Sequence, residues 1–145
     1  MESVVVTDWN VADLSAFLAA AWPLYDEPRG IRWEARDVFL VARSGEEPIG
    51  AARGVIVGGL GELKQLLVKK GRDRRGVGSR LLLEFEDRCR TAGCHKIRLE
   101  TAEYQARPLY ERHGYSCLTT FENDRFGKAV FVMAKELACE LQRPR

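Results

Sequence analysis

Apolar and polar positions change period several times along the chain, and each change marks an element. Residues 4–7 are a β-branched run that predicts a first strand. Asn10 stands where a helix N-cap belongs, with Asp13 three residues on and Leu14, Phe17, Leu18 and Ala21 on one face. Residues 23–37 lose the pattern. Two prolines and scattered charges around Trp33 predict loop plus a short helix there. Three strands follow, over residues 38–43, 49–57 and 60–68, joined by the turns Ser44-Gly45-Glu46-Glu47-Pro48 and Gly58-Gly59. Connections this short make the three antiparallel. Val77, Leu81, Leu82, Phe85, Cys89 and Ala92 then recur at helical spacing, and Gly93 supplies the stop. Residues 96–101 alternate as a strand, residues 107–113 form a short helix ending at Gly114, and residues 115–121 and 129–134 close as a hairpin. The order predicts a mixed α/β fold: a mainly antiparallel sheet of six to seven strands with helices on both faces.

The chain has 145 residues, the length of one domain with one core, and no linker or repeat divides it. Its longest apolar run, residues 16–25, contains Pro23 and is far short of a membrane span. The first residues lack a basic region followed by an apolar one, so the expectation is a cytoplasmic protein without a secretory signal. Cys89, Cys94, Cys117 and Cys139 have no paired spacing and only His95 and His113 could join them, so no metal site is expected.

Formal charge nearly cancels at +2, which argues against a generally nucleic-acid-coating protein. The distribution matters more than the total. Residues 69–80, Lys-Lys-Gly-Arg-Asp-Arg-Arg-Gly-Val-Gly-Ser-Arg, hold six bases and one acid, so the remaining 133 residues carry 17 bases and 20 acids. An acidic-leaning chain therefore concentrates positive charge where a long helix begins. Free amides at a helix start bind anions, and glycines allow close approach. Two phosphate motifs fail: Val77 and Gly78 follow Gly76 where a Walker loop needs Lys and Ser or Thr, and Leu81 occupies the third glycine of the dinucleotide fingerprint. The segment also reads as a solvated turn or as a nucleic-acid loop, although the latter lacks interleaved aromatics. A second motif, Ala106-Arg-Pro-Leu-Tyr-Glu-Arg-His-Gly-Tyr115, reads by itself as a helix with proline in its first turn and glycine at its end.

Together these motifs resemble the Gcn5-related N-acetyltransferase (GNAT) superfamily. Leu66-Leu67-Val68 leading into Asp73-Arg74-Arg75-Gly76-Val77-Gly78-Ser79 is similar to the family's strand, Arg/Gln-x-x-Gly-x-Gly/Ala loop and helix. Ala106, Leu109, Tyr110, Gly114 and Tyr115 match the later family motif at each fixed position, and the resemblance spans roughly residues 3 to 137. Two departures stand out: Asp73 replaces a usual Arg or Gln, and Glu103 replaces a frequent Asn.

The resemblance implies acetyl transfer from acetyl-CoA to a primary amine of a small molecule or peptide, directly within a ternary complex. It places the cofactor on Leu66, Leu67, Val68, Arg72, Arg74, Arg75, Gly76, Val77, Gly78 and Ser79, with the thioester oxygen met by an amide at a bulged strand end near Leu67. It makes Tyr110 the acid that protonates the leaving thiolate and Glu62 the base, with Glu100 and Glu103 as further candidates. The acceptor pocket is expected around residues 22–33, the start of the strand at residue 60 and residues 121–126, where acids beside aromatics favour a cationic amine. No nucleic-acid or membrane partner is implied; a homodimer is common among relatives. The alternative is a regulatory module that binds acyl-CoA without catalysis.

Overall fold

The computed structural model describes residues 2–72 and 76–138. The chain divides into two compact units, Met1–Trp33 and Glu34–Arg145. In the first, helix α1 (Val11–Ala21) is capped as predicted: Asn10 Oδ1 accepts from the Asp13 amide at 2.9 Å. Helix α2 (Pro23–Asp26) and a 3₁₀ turn (Glu27–Arg29) follow, and the Trp33 indole N–H donates to Asp26 at 3.0 Å. The strand expected at residues 4–7 does not form. Val4, Val5 and Val6 are 91%, 77% and 90% exposed, and β-branching without a partner strand yields no ladder.

The second unit is a six-stranded sheet in the order β1-β2-β3-β4-β6-β5. Strands β1 (Arg36–Ser44), β2 (Glu47–Val57) and β3 (Leu60–Val68) form the predicted antiparallel meander. Helix α3 (Val77–Thr91) then crosses over to β4 (Lys96–Ala102), which lies parallel to β3, as a helical crossover permits. Helix α4 (Arg107–Arg112) leads to β5 (Ser116–Phe121), and β6 (Val130–Glu136) returns between β5 and β4, antiparallel to both.

Helix α3 covers one face of this sheet. Leu82, Phe85 and Cys89 are fully buried beside Ile97 and Met133. Glycines let the helix press close: a Cβ at Gly54 would collide with the Phe85 ring, and one at Gly61 with the Cys89 sulfur. Burial pushes the Cys89 thiol up to about 12, far from a reactive thiolate. Among the described residues no helix is long and apolar enough to cross a membrane.

Candidate active site

The site begins where the sheet opens. β3 pairs with β4 only from Leu60 to Leu63. At that point the β2–β3 register slips: Arg53 faces Gln65 while Gly54 faces Leu63, leaving Lys64 as the extra residue of a bulge. Beyond it β3 stays with β2 as far as Val68, while β4 stays with β6 as far as Ala102. The two strands diverge, and the edge of β3 from Lys64 to Val68 has no strand partner among the described residues. The bulge therefore lies three residues earlier than the expected position near Leu67. Its effect is a cleft whose wall offers unpaired peptide groups to an extended ligand.

A cavity of about 1050 Å³ occupies this cleft. Leu66, Leu67 and Val68 line one side, and Gly76, Gly78 and Ser79 at the start of α3 close one end. Gly76 holds a left-handed conformation (φ +67°), which only glycine adopts without strain, and no side chain caps the helix. The first helical bond runs from the Arg80 amide to the Gly76 carbonyl at 3.0 Å, so the amides of residues 77–79 precede the ladder. Gly78 brings α4 close: a Cβ there would sit 3.3 Å from Leu109. The Val77 side chain turns away into the core, 5% exposed. Arg72 does not line the cavity. Its guanidinium is 3.1 Å from Glu47, which Lys69 also holds at 2.7 Å, and these cations keep the Glu47 carboxyl below its usual range. Asp73, Arg74 and Arg75 lie outside the described residues.

A family model for the acetyltransferase (GNAT) family matches residues 6–115, well over half of the chain. The chain belongs to the GNAT acetyltransferase family. An N-acetyltransferase of Bacillus subtilis, YjcF, is 34% identical over 89 residues, a stretch that covers 61% of this chain and 63% of that relative. The chain thus matches less than two thirds of that relative's length. An acetyltransferase from Bacillus cereus superposes with a TM-score of 0.81 at 21% identity, covering 92% of this chain and 98% of its own. The PaiA N-acetyltransferase of Thermoplasma acidophilum, solved in complex with coenzyme A, superposes at 0.60 and 18% identity over 89% of this chain and 80% of its own.

In this GNAT fold α4 delivers Tyr110 to the cavity wall. The helix ends in a Schellman turn: Gly114 at φ +90° lets the Tyr115 amide reach the Tyr110 carbonyl at 3.0 Å. Tyr110 is 6% exposed and its ring meets Tyr115 edge-to-face at 5.8 Å. Burial raises its pKa above the ordinary phenol value, so it keeps its proton at neutral pH.

Glu62 is placed differently. It does not line the cavity, and it is held by Lys64 at 2.8 Å and Arg98 at 3.6 Å. The hydrogen bond from Lys64 outweighs partial burial and holds its carboxyl below the usual range, which makes it a weaker base. Glu100 lines the cavity and Glu103 does not; the latter is 3.9 Å from Lys128.

Three contributors had no role in the reading of the sequence. Arg112, two residues after Tyr110, lines the cavity. His113 meets Ser79, one of the expected cofactor residues, at 3.0 Å. Glu86 is fully buried, 2.8 Å from Lys135, 3.4 Å from Arg90 and 3.3 Å from the Tyr115 hydroxyl. Glu86 had a visible signal, being a lone charge on the Leu82–Phe85–Cys89 stripe of α3.

Proposed function

We propose that the protein is an acetyl-CoA-dependent N-acetyltransferase acting on a primary amine of a small molecule or peptide. The observation that carries this reading is the opening between β3 and β4, which runs from an uncapped helix start rich in glycine to a buried, protonated tyrosine. Acetyl-CoA supplies the acetyl thioester. Its pyrophosphate suits the amides of residues 77–79, where the helix dipole contributes up to about 2 kcal/mol. Its pantetheine arm suits the unpaired edge of β3 along Leu66–Val68, where an unpaired amide of the bulged strand can also face the carbonyl oxygen as charge develops.

In the reaction the amine nitrogen attacks the thioester carbon, forming the C–N bond, and the C–S bond breaks with its electron pair leaving on sulfur. The attacking nitrogen gives up a proton, for which Glu100 is the carboxylate the cavity provides, directly or through water. Tyr110 donates its proton to the departing thiolate, whose conjugate acid lies near 8.5, and regains one from solvent.

Two measurements test the reading. Acetyl-CoA at about 100 times its Kd adds roughly 2.7 kcal/mol of stability, read as a rise in melting temperature. Release of free coenzyme A thiol against a panel of amines then reports turnover. No thermal shift at millimolar acetyl-CoA overturns the reading; a shift without thiol release from any amine leaves a binding module instead of an enzyme.

A further inference from the structure

His113 does not line the cavity, yet it controls a group that does. It sits at the C-terminal cap of α4, three residues after Tyr110, and its amide bonds the Tyr110 carbonyl at 3.0 Å. Its Nε2 is 3.0 Å from the Oγ of Ser79, the third residue of α3, at the end of the cavity where the helix amides are free. Both side chains are half-buried.

One hydroxyl carries one proton. If Nε2 is unprotonated it accepts that proton, and Ser79 presents only lone pairs to the cavity. If Nε2 carries hydrogen it donates to Oγ, and the hydroxyl proton is released to point elsewhere. A phosphate is an acceptor and needs a donor facing it. An anion at the start of α3 therefore favours the arrangement in which His113 donates, since only then are the imidazole and the phosphate both satisfied by Ser79.

We propose that His113 is a positioning residue for the acyl donor. By donating from Nε2 to Ser79 Oγ, it turns the serine hydroxyl into a hydrogen-bond donor aimed at a phosphate of the coenzyme. This rests on the acetyl-CoA reading above and adds to it a residue that touches no substrate atom. The same contact ties the helix that grips the coenzyme to the helix that carries Tyr110, so the two ends of the site share one latch.

The test is a double-mutant cycle on coenzyme A affinity, measured by calorimetry for the wild type, Ser79→Ala, His113→Phe and the double variant. Each single change weakens binding by about three- to tenfold, the worth of one net hydrogen bond. The double variant is no weaker than Ser79→Ala alone, because His113 acts only through the hydroxyl. His113→Gln keeps an N–H donor near the position of Nε2 and restores most of the affinity. With acetyl-CoA the loss falls on KM and not on kcat.

Losses that multiply in the double variant, no loss in His113→Phe, or no rescue by glutamine overturn the inference while leaving acetyl transfer intact. A wild-type protein that binds no coenzyme A overturns both.

Discussion

Gly54→Ala gives a direct test of how closely α3 is pressed onto the sheet. The added Cβ lies 2.5 Å from Cζ of Phe85 and 2.7 Å from the backbone oxygen of Glu62, whereas ordinary contact begins at 3.4 Å. Phe85 is wholly buried and the strand oxygen is fixed by its ladder, so neither gives way easily. The helix must retreat by about 1 Å or the ring must leave its rotamer, and overpacking of this kind costs about 1–3 kcal/mol. Two obstructed directions put the expected value near the upper end, about 2–3 kcal/mol, or on the order of 10 °C in melting temperature. Urea unfolding followed by circular dichroism measures it, with an unchanged m-value showing that the native state is still compact. Phe85→Leu removes the obstructing ring edge. In the double variant the two costs should therefore fall short of additive by at least about 1 kcal/mol. A Gly54→Ala protein that melts within 2 °C of wild type, or strict additivity with Phe85→Leu, refutes the packing argument.

Tyr110→Phe should lower kcat by about 10²- to 10⁴-fold while changing acetyl-CoA affinity little; equal losses in both would make the tyrosine a packing residue. Glu86→Ala leaves Lys135 and the Tyr115 hydroxyl without their buried partner and should cost about 3 kcal/mol. This is the low end for a broken buried pair, since the Lys135 and Arg90 side chains are 23% and 42% exposed and can reach water; a cost below about 1 kcal/mol in urea unfolding would contradict it. The Glu62 carboxyl is held below its unfolded value, so its contribution is complete above the unfolded pKa and is lost as pH falls through the folded one. Glu62→Gln should therefore destabilise by no more than about 1 kcal/mol at pH 7, and the gap to wild type should narrow as pH falls below the ordinary carboxylate range; a gap that widens in acid would show the pairing to be misassigned.

Features governed by local chemistry were legible in the sequence. The Asn10 cap, the Gly58-Gly59 turn, the apolar stripe of α3 and the Gly114 stop each depend on residues within one turn of one another, and each stands where the pattern put it. What failed depended on distant partners. Residues 4–7 have strand chemistry, but a strand exists only beside another, and no local pattern supplies that neighbour. The bulge at Lys64 carries no glycine to announce it; it arises from the register between two strands. The resemblance made Glu62 the base; of the cations that hold it, Lys64 is two residues along its own strand, but Arg98 comes from β4, across the parallel seam. The charge on Glu86 was visible in the helix stripe, but Lys135, the partner that makes it tolerable, lies 49 residues away.

The four-residue pairing of β3 with β4 also bears on how the chain folds. On either side of it the ladders are antiparallel: β1, β2 and β3 follow one another through short turns, and β5 returns directly to β6. Such local pairings close on the microsecond scale. The parallel seam can form only after α3 has spanned the gap, and it shares the cost of loop closure with the equally non-local ladder between β4 and β6. That seam, with the fewest rungs and a connection as long as the one between β4 and β6, is where the sheet should come apart first. Pulsed hydrogen exchange should find its amides protected last during refolding and released first under mild denaturant.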